Sequence, residues 1–344
     1  MDGLNGQILH GFSLKSQKIT KEKSYYICNT DKGLKTVCKT ELPPEAILFS
    51  HAVKEGLYGD GFINTDRFVL AAETGLPYLI YENETYIATD YFKLPESRFS
   101  DNNEFLRIIS AVSKMHNIVK NAVWTRNLPD RTLRDPEDFY FDETPDIAYN
   151  KSISYMKSYK KAALKSKPFS DFDVQFIKNA DYILESLQIW HKYAVSDTYS
   201  RNLTEAAQNK LISHNYLREE TVLINNSDNI NGEYITDFTN CSTRTYLYDL
   251  ASVIKRYDKN LPEDPLPLSL ILSEYDKNCR LSDSDLTVLF ALLIYPDKFM
   301  NICGKYYSQK RTWIPATFGV RIEKLAAGRE KYREFLKEAF ANYF

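Results

Sequence analysis

The feature that most constrains this chain is a single change of hydrophobic period. Up to Phe92 the chain reads as short strands around one helix, and from Ser100 onward the apolar residues recur at helical spacing. Residues 24–30 and 34–42, joined by the turn Asp31-Lys32-Gly33, read as a hairpin. Pro43-Pro44-Glu45 then open a helix, because proline suits a first turn and a glutamate there faces the positive end of the helix dipole. Its apolar stripe is Ala46, Phe49, Val53 and Leu57, and Gly59 and Gly61 end it. Residues 68–72, 77–81 and 86–92 are three further strand candidates. In the second part Ser100 can cap a helix carrying Phe105, Ile108, Ile109, Val112 and Met115. Residues 129–145 read as a loop, and helices are expected over 148–165, 171–194, 286–295, 296–307 and 322–343. The pattern predicts an α+β chain with a small sheet-bearing lobe over 1–92 and a larger helical lobe over 93–344.

With 344 residues and 43% hydrophobic content the chain can bury a sizeable core, and its length suits about two lobes. There is no internal repeat and no low-complexity tract. A formal charge of −2 gives no basic footprint for duplex nucleic acid, so nucleic acid is not an expected partner. The five cysteines are scattered and form no C-x-x-C pair, which speaks against a disulfide framework or a zinc site. No basic stretch followed by an apolar core opens the chain, and its longest apolar run, 288–295, is too short to span a bilayer. No membrane association is expected.

One stretch breaks the helical half. Within 211–249, Val222-Leu223-Ile224 reads as a short buried strand, 226–232 as a polar turn and 234–238 as the partner strand. Such a hairpin holds a loop before its first strand beside an acid at the end of its second. Kinases place a base aspartate two residues after a histidine, a metal-binding asparagine five later and a second metal aspartate after the hairpin. Counted from His214, those positions here are Tyr216, Thr221 and Asp237.

The flanks extend that frame over almost the whole chain. Residues 45–62 (EAILFSHAVKEGLYGDGF), 109–116 (ISAVSKMH), 211–224, Asp237 with Asp249-Leu250-Ala251, and 286–313, in this order and spacing, resemble the CotS family of spore coat-associated kinase-like proteins, relatives of aminoglycoside and choline phosphotransferases. The resemblance implies a bilobal protein-kinase-like fold with a small antiparallel-sheet N-lobe. It also implies roles for residues. Lys39, after Thr36-Val37-Cys38, looks like the strand lysine that contacts nucleotide phosphates, with Val37 on the same face roofing an adenine. Thr89, Asp90 and Phe92 resemble the hinge that recognises an adenine edge, although a plain connection between lobes fits them equally well. Glu45 and Glu55 are both candidates for the helix glutamate that pairs with the strand lysine. The phosphate-cradling loop should lie within 15–23, yet no glycine occurs between Gly11 and Gly33, and backbone amides close less freely over phosphates without one. His214 and Asp249 are expected to be structural, the latter bracing the loop.

The replacements bear on chemistry. An aspartate base accepts or orients the attacking hydroxyl's proton, whereas a tyrosine is ordinarily neutral at pH 7 and much bulkier. Glu219 and Glu220 share the loop at the wrong spacing. Thr221 offers a hydroxyl where a magnesium-binding asparagine is usual, and Asp237 is the metal carboxylate that remains. Residues 151–167 carry six lysines, either a solvated helix face or a surface for an acidic partner. The expectation is a spore coat protein of the CotS type with a degenerate active site and a scaffolding role. It would be made in the mother-cell cytoplasm and then assembled with other spore coat proteins. The alternatives are an active ATP-dependent phosphotransferase on a small hydroxyl or amine acceptor or a coat protein, and a non-catalytic Mg-nucleotide-binding module. No cofactor is required by the first reading; Mg-ATP is the cofactor of the other two.

Overall fold

The computed structural model describes residues 4–131, 144–166, 168–227, 230–259, 262, 264–308 and 317–344. In chain order the elements are α1 (Gly6–Gly11), β1 (Ser16–Glu22), β2 (Tyr25–Thr30), β3 (Gly33–Thr40), α2 (Pro44–Gly59), β4 (Leu79–Tyr81), β5 (Glu84–Asp90) and α3 (Asn102–Asn121). Next come α4 (Pro145–Lys165), α5 (Asp171–Ala194), α6 (Asp197–Gln208), β6 (Ile212–Ser213), β7 (Val222–Ser227), β8 (Ile230–Ile235) and β9 (Ser242–Thr243). The chain finishes with α7 (Leu247–Lys259), α8 (Leu268–Asp276), α9 (Asp283–Ile294), α10 (Asp297–Ser308) and α11 (Thr317–Phe340).

These elements form two compact units. One joins 1–133 with 206–263 and 274–279, and the other joins 134–205 with 264–273 and 280–344. The expected boundary at Phe92 thus follows the change of period, while compactness gathers the 211–249 hairpin and α3 into the unit that holds the sheet.

In the first unit five antiparallel strands run in the order β1-β2-β3-β5-β4. The β2–β3 hairpin forms where its turn residues predict it, and Gly33 supplies the left-handed conformation at φ 88°. Strand alternation then divides the sheet. Val37 faces Ala88 in register and both join Cys28 in a core cluster with Ile8, Leu9, Phe12 and Leu14, from α1 and the turn after it. The next register pair, Cys38 and Ile87, turns to the other face, where Ile87 packs with Ile47 of α2 and Phe68. β4 and β5 meet through Glu82-Asn83, both at positive φ as a tight hairpin turn requires.

Two differences from the sequence reading have clear causes. β1 covers most of 15–23, where a loop was expected. It is an edge strand, exposed along nearly all its length and lysine-bearing, so it carries no apolar alternation to read. Residues 68–72 give only a bridge from Phe68 to Thr89 instead of a strand.

The second unit is helical. α4 packs along α5, and α5 also meets α9 and α11. Ser170 and Ser282 close capping boxes with Asp173 and Asp285, which fixes the starts of α5 and α9. Phe172 stacks on Tyr306 with ring centroids 3.7 Å apart, and the Tyr307 hydroxyl donates to Asp173 over 3.0 Å. Residues 283–308 are apolar and long enough by composition to cross a membrane, yet Pro296 separates them into two helices and 67% of the most apolar window is buried in the protein's own core. Lys151, Lys157, Lys160, Lys161 and Lys165 lie exposed on α4, while Lys167 and most of 129–145 fall outside the described residues.

Candidate functional site

The site is built in the first unit around the short loop between β6 and β7. Val222, Ile224 and Ile235 are buried, which seats the β7–β8 hairpin, and β6 pairs with β9 at its base. Asp249, in the first turn of α7, braces the loop. Its two carboxylate oxygens accept the backbone N–H groups of His214 (2.6 Å) and Asn215 (2.7 Å), and His116 adds a third bond at 3.2 Å. Burial works to raise the Asp249 pKa, but the His116 bond and the amides outweigh it, so the carboxyl is held below its usual range. His116 in turn bonds the Tyr275 hydroxyl over 2.8 Å.

His214 ties the loop to the exit of the hairpin. With Nε2 donating to the Thr236 carbonyl at 2.9 Å and Nδ1 accepting the Tyr216 N–H at 3.2 Å, its partners assign the neutral tautomer protonated on Nε2. Burial pushes its pKa below the usual value, against the pull of Asp249. Asn215 stands at φ 64°, and its amide nitrogen donates to the Asn240 carbonyl and the Ser242 hydroxyl, each at 2.8 Å. An asparagine tolerates this left-handed backbone better than most residues and here also pins the next turn.

The two replaced positions are both occupied locally. The Tyr216 ring lies under the Arg218 guanidinium, 3.7 Å from its centroid. The Thr221 hydroxyl donates to the Tyr216 carbonyl (2.8 Å) and accepts the Arg218 N–H (2.9 Å), closing the loop on itself. Glu219 pairs with Arg256 at 2.9 Å. Asp237 sits just past β8 in the left-handed region at φ 59°, where the strain of a non-glycine residue marks a position held by its surroundings. Its Oδ1 accepts the Thr239 hydroxyl at 2.6 Å, and its N–H donates to Asp66 over 3.1 Å.

That last bond leads to residues the sequence reading passed over. Lys54 of α2 is 1% exposed. Its ammonium pairs with Asp66 Oδ1 at 2.9 Å, donates to the Asp66 carbonyl at 2.7 Å and lies 4.4 Å from the Phe68 ring centroid. Burial pushes the Asp66 carboxyl up, with Lys54 pulling the other way and Asp237 adding to the rise. Ser50 and Lys54 fall on the same buried stripe as Ala46, Val53 and Leu57. The signal available was their i, i+4 spacing on a core face, which makes a lysine there anomalous.

The remaining predicted residues divide into two groups. Val37 is fully buried beneath the sheet, and Lys39, on the same face of β3, is half exposed and paired with Glu84 at 2.9 Å. Cys38 points the opposite way and lies close enough to Asp237 that burial together with this charge pushes its thiol up to about 11. The structure therefore brings together Asp237, His214, Asp249, Tyr216 and Thr221 but sets Lys39 on the other face of the sheet. Thr89 shares a hydroxyl bond with Thr36 at 2.7 Å, Asp90 pairs with Lys35, and the Asp90 N–H is engaged by the Arg67 carbonyl at 2.9 Å. Phe92 packs on Tyr234 of β8 at 4.6 Å between centroids. Of the two candidate helix glutamates, Glu55 is bound through both oxygens to Arg67 and Glu45 lies in the first turn of α2. The place of the phosphate-cradling loop is filled by the tight turn between β1 and β2, with Lys23 at φ 29°.

A magnesium ion needs oxygen ligands free to face it. The Thr221 hydroxyl closes its own loop and so does not fit the ion, while Asp237 offers a single carboxylate whose Oδ1 accepts the Thr239 hydroxyl. Among the described residues no group of three or more His, Cys, Asp and Glu side chains gathers as a metal site.

Comparison with known proteins agrees with this frame. The chain is similar over its whole length to an aminoglycoside phosphotransferase from Alicyclobacillus acidocaldarius, with 13% identity, a TM-score of 0.80 and coverage of 100% of this chain and 97% of that one. It is similar to spectinomycin phosphotransferase APH(9)-Ia in complex with ADP and spectinomycin, with 11% identity, a TM-score of 0.60 and coverage of 98% and 97%. Amicoumacin kinase hAmiN matches with 14% identity, a TM-score of 0.54 and coverage of 92% and 87%. At such identities the likeness shows the kinase-like fold alone. No curated protein matches the chain. The family profile described as "Spore coat putative kinase YutH" matches residues 7–339, so the expected CotS-like resemblance holds and the chain belongs to the YutH family of spore coat kinase-like proteins.

Proposed function

We propose that the chain is a spore coat protein in which a kinase fold serves as a scaffold, its phosphotransfer chemistry lost. It is made in the mother-cell cytoplasm and assembles with other coat proteins. The observation that carries this reading is position 216, where a tyrosine beneath Arg218 stands in place of a carboxylate. A missing general base lowers such a reaction by about 10²–10⁴-fold. The Thr221 hydroxyl, closed into the loop, supports the same conclusion from the metal side.

The test is a thermal melt of the purified chain with ATP, with and without magnesium, followed by transfer of labelled γ-phosphate to small hydroxyl and amine acceptors and to coat extract. Neither stabilisation nor transfer is expected. A magnesium-dependent rise in melting temperature without transfer would instead make the chain a nucleotide-binding module. Transfer abolished by Asp237→Ala would make it an enzyme and end the scaffold reading.

A further inference from the structure

We infer that the outward ridge of α4, formed by Lys157, Lys161 and Lys165 with Leu164 and Phe169 at its end, is a docking surface for an acidic helix of another protein. This contact face belongs to the scaffold role proposed above and rests on that reading for the partner being a protein. Past Asp146, α4 carries five lysines and no acidic residue. Ala148, Ser152, Met156 and Ala163 are buried, so the helix seats itself on that side and turns the lysines to solvent. Lys157, Lys161 and Lys165 follow one another at four-residue intervals, a ridge with charges about 6 Å apart along the axis. Among the described residues none of these three pairs with a carboxylate. The cations of α11 differ, since Arg333 binds Glu185, Arg329 pairs with Glu330 at 3.1 Å and Lys337 with Glu334 at 3.0 Å.

The end of the ridge is apolar. Leu164 is 52% exposed, and Phe169, in the turn to α5, 47%. Val320, 67% exposed, follows Gly319, whose Cβ position lies 3.8 Å from Asp171 at the start of α5, so a third apolar side chain belongs to the same corner. Covering such side chains removes apolar area from water and adds a non-electrostatic anchor to the row of charges. Charge and shape together select the partner. A row one side chain wide matches carboxylates four residues apart on a second helix, whose own i, i+4 ridge repeats at the same interval. A bilayer or a nucleic-acid duplex spreads its charge over a broad face and calls for a broad basic one, and this chain's formal charge of −2 works against both.

The test uses the purified full chain and a labelled synthetic helix with glutamates four residues apart and a leucine at one end. The same peptide with glutamine at those positions, phosphatidylglycerol vesicles and duplex DNA are compared with it. Exposed charge pairs are individually weak, and three together amount to about a tenfold change in affinity. The glutamate peptide should therefore bind about tenfold tighter than the glutamine peptide at low salt, and the difference should vanish near about 1 M salt. Lys157→Glu/Lys161→Glu/Lys165→Glu should abolish the preference, and Phe169→Ser should weaken both peptides alike. Should the glutamate variant not fold, glutamine at the same three positions removes the charge and should abolish the preference equally. No binding, equal affinity for the two peptides, a preference that survives the lysine substitutions, an undiminished affinity in Phe169→Ser, or tighter binding of the vesicles or the DNA would overturn the inference. Neither nucleotide nor coat material enters the assay, so its failure leaves the scaffold reading standing, while phosphoryl transfer by the wild type defeats that reading through a separate readout.

Discussion

At the level of single residues, the loop is governed by buried polar groups whose partners lie far away in sequence. Asp249 holds two amides of the loop and His116, and His214 joins that loop to Thr236. The state of His214 has a consequence for pH. Burial lowers its folded pKa below the reference 6.5, so between that lowered value and 6.5 the unfolded chain binds more protons than the folded one. Stability therefore rises with pH through this window and is lost as pH drops below 6.5. His214→Gln, which removes the titration, should show a shallower fall of melting temperature than wild type between about pH 6.5 and 5. His51, also held low by burial, contributes equally to both proteins. Parallel slopes would show that His214 is not the group responsible. His214, Tyr216, Thr221 and Asp237 could be placed because the kinase frame counts them off around one hairpin, and Asp249 because the family resemblance carries it. Lys54 and Asp66 were not, since a lysine on an amphipathic helix is ordinarily read as solvated, and only burial against Asp66 distinguishes this one.

The elements show the same division. α2 was legible from its proline-rich start and its stripe, yet the use it makes of its far end was not. Gly56 sits in the helix interior, where exchanging glycine for alanine ordinarily stabilises by about 1 kcal/mol. A Cβ there would lie 2.4 Å from atoms of the Trp124 indole, whose nitrogen is bonded to Asp60 at 2.8 Å, so the ring cannot step aside freely. Overpacking of this kind costs about 1–3 kcal/mol, which outweighs the propensity gain. Gly56→Ala should therefore lower the urea midpoint, and a midpoint unchanged or raised would mean the indole has room to move. β1 gives the complementary case. Its pairing with β2 comes from backbone hydrogen bonds that any lysine-rich sequence can make, so composition suggested a loop where the fold has an edge strand.

For the molecule as a whole, the change of period near Phe92 predicted a sheet followed by helices, and the five-stranded sheet and kinase-like fold bear that out. The compact unit around the site is nevertheless assembled from three separate stretches of chain. A fragment of residues 1–92 should therefore remain largely unfolded, because α2 would lose the 3-10 turn at Phe238–Asn240 and Asn64 the Glu233 carbonyl it bonds at 3.1 Å. Circular dichroism of that fragment would check this, and a cooperative melt would disprove it. Hydrophobic periods, caps and turn residues act over a few positions, which is why elements, fold class and the family frame could be read from the order of residues. Which face of β3 turns toward Asp237, and that a helix lysine is buried against Asp66, depend on how the sheet, α2 and the hairpin close on one another. Burial and electrostatics act through space, and no spacing along the chain records them.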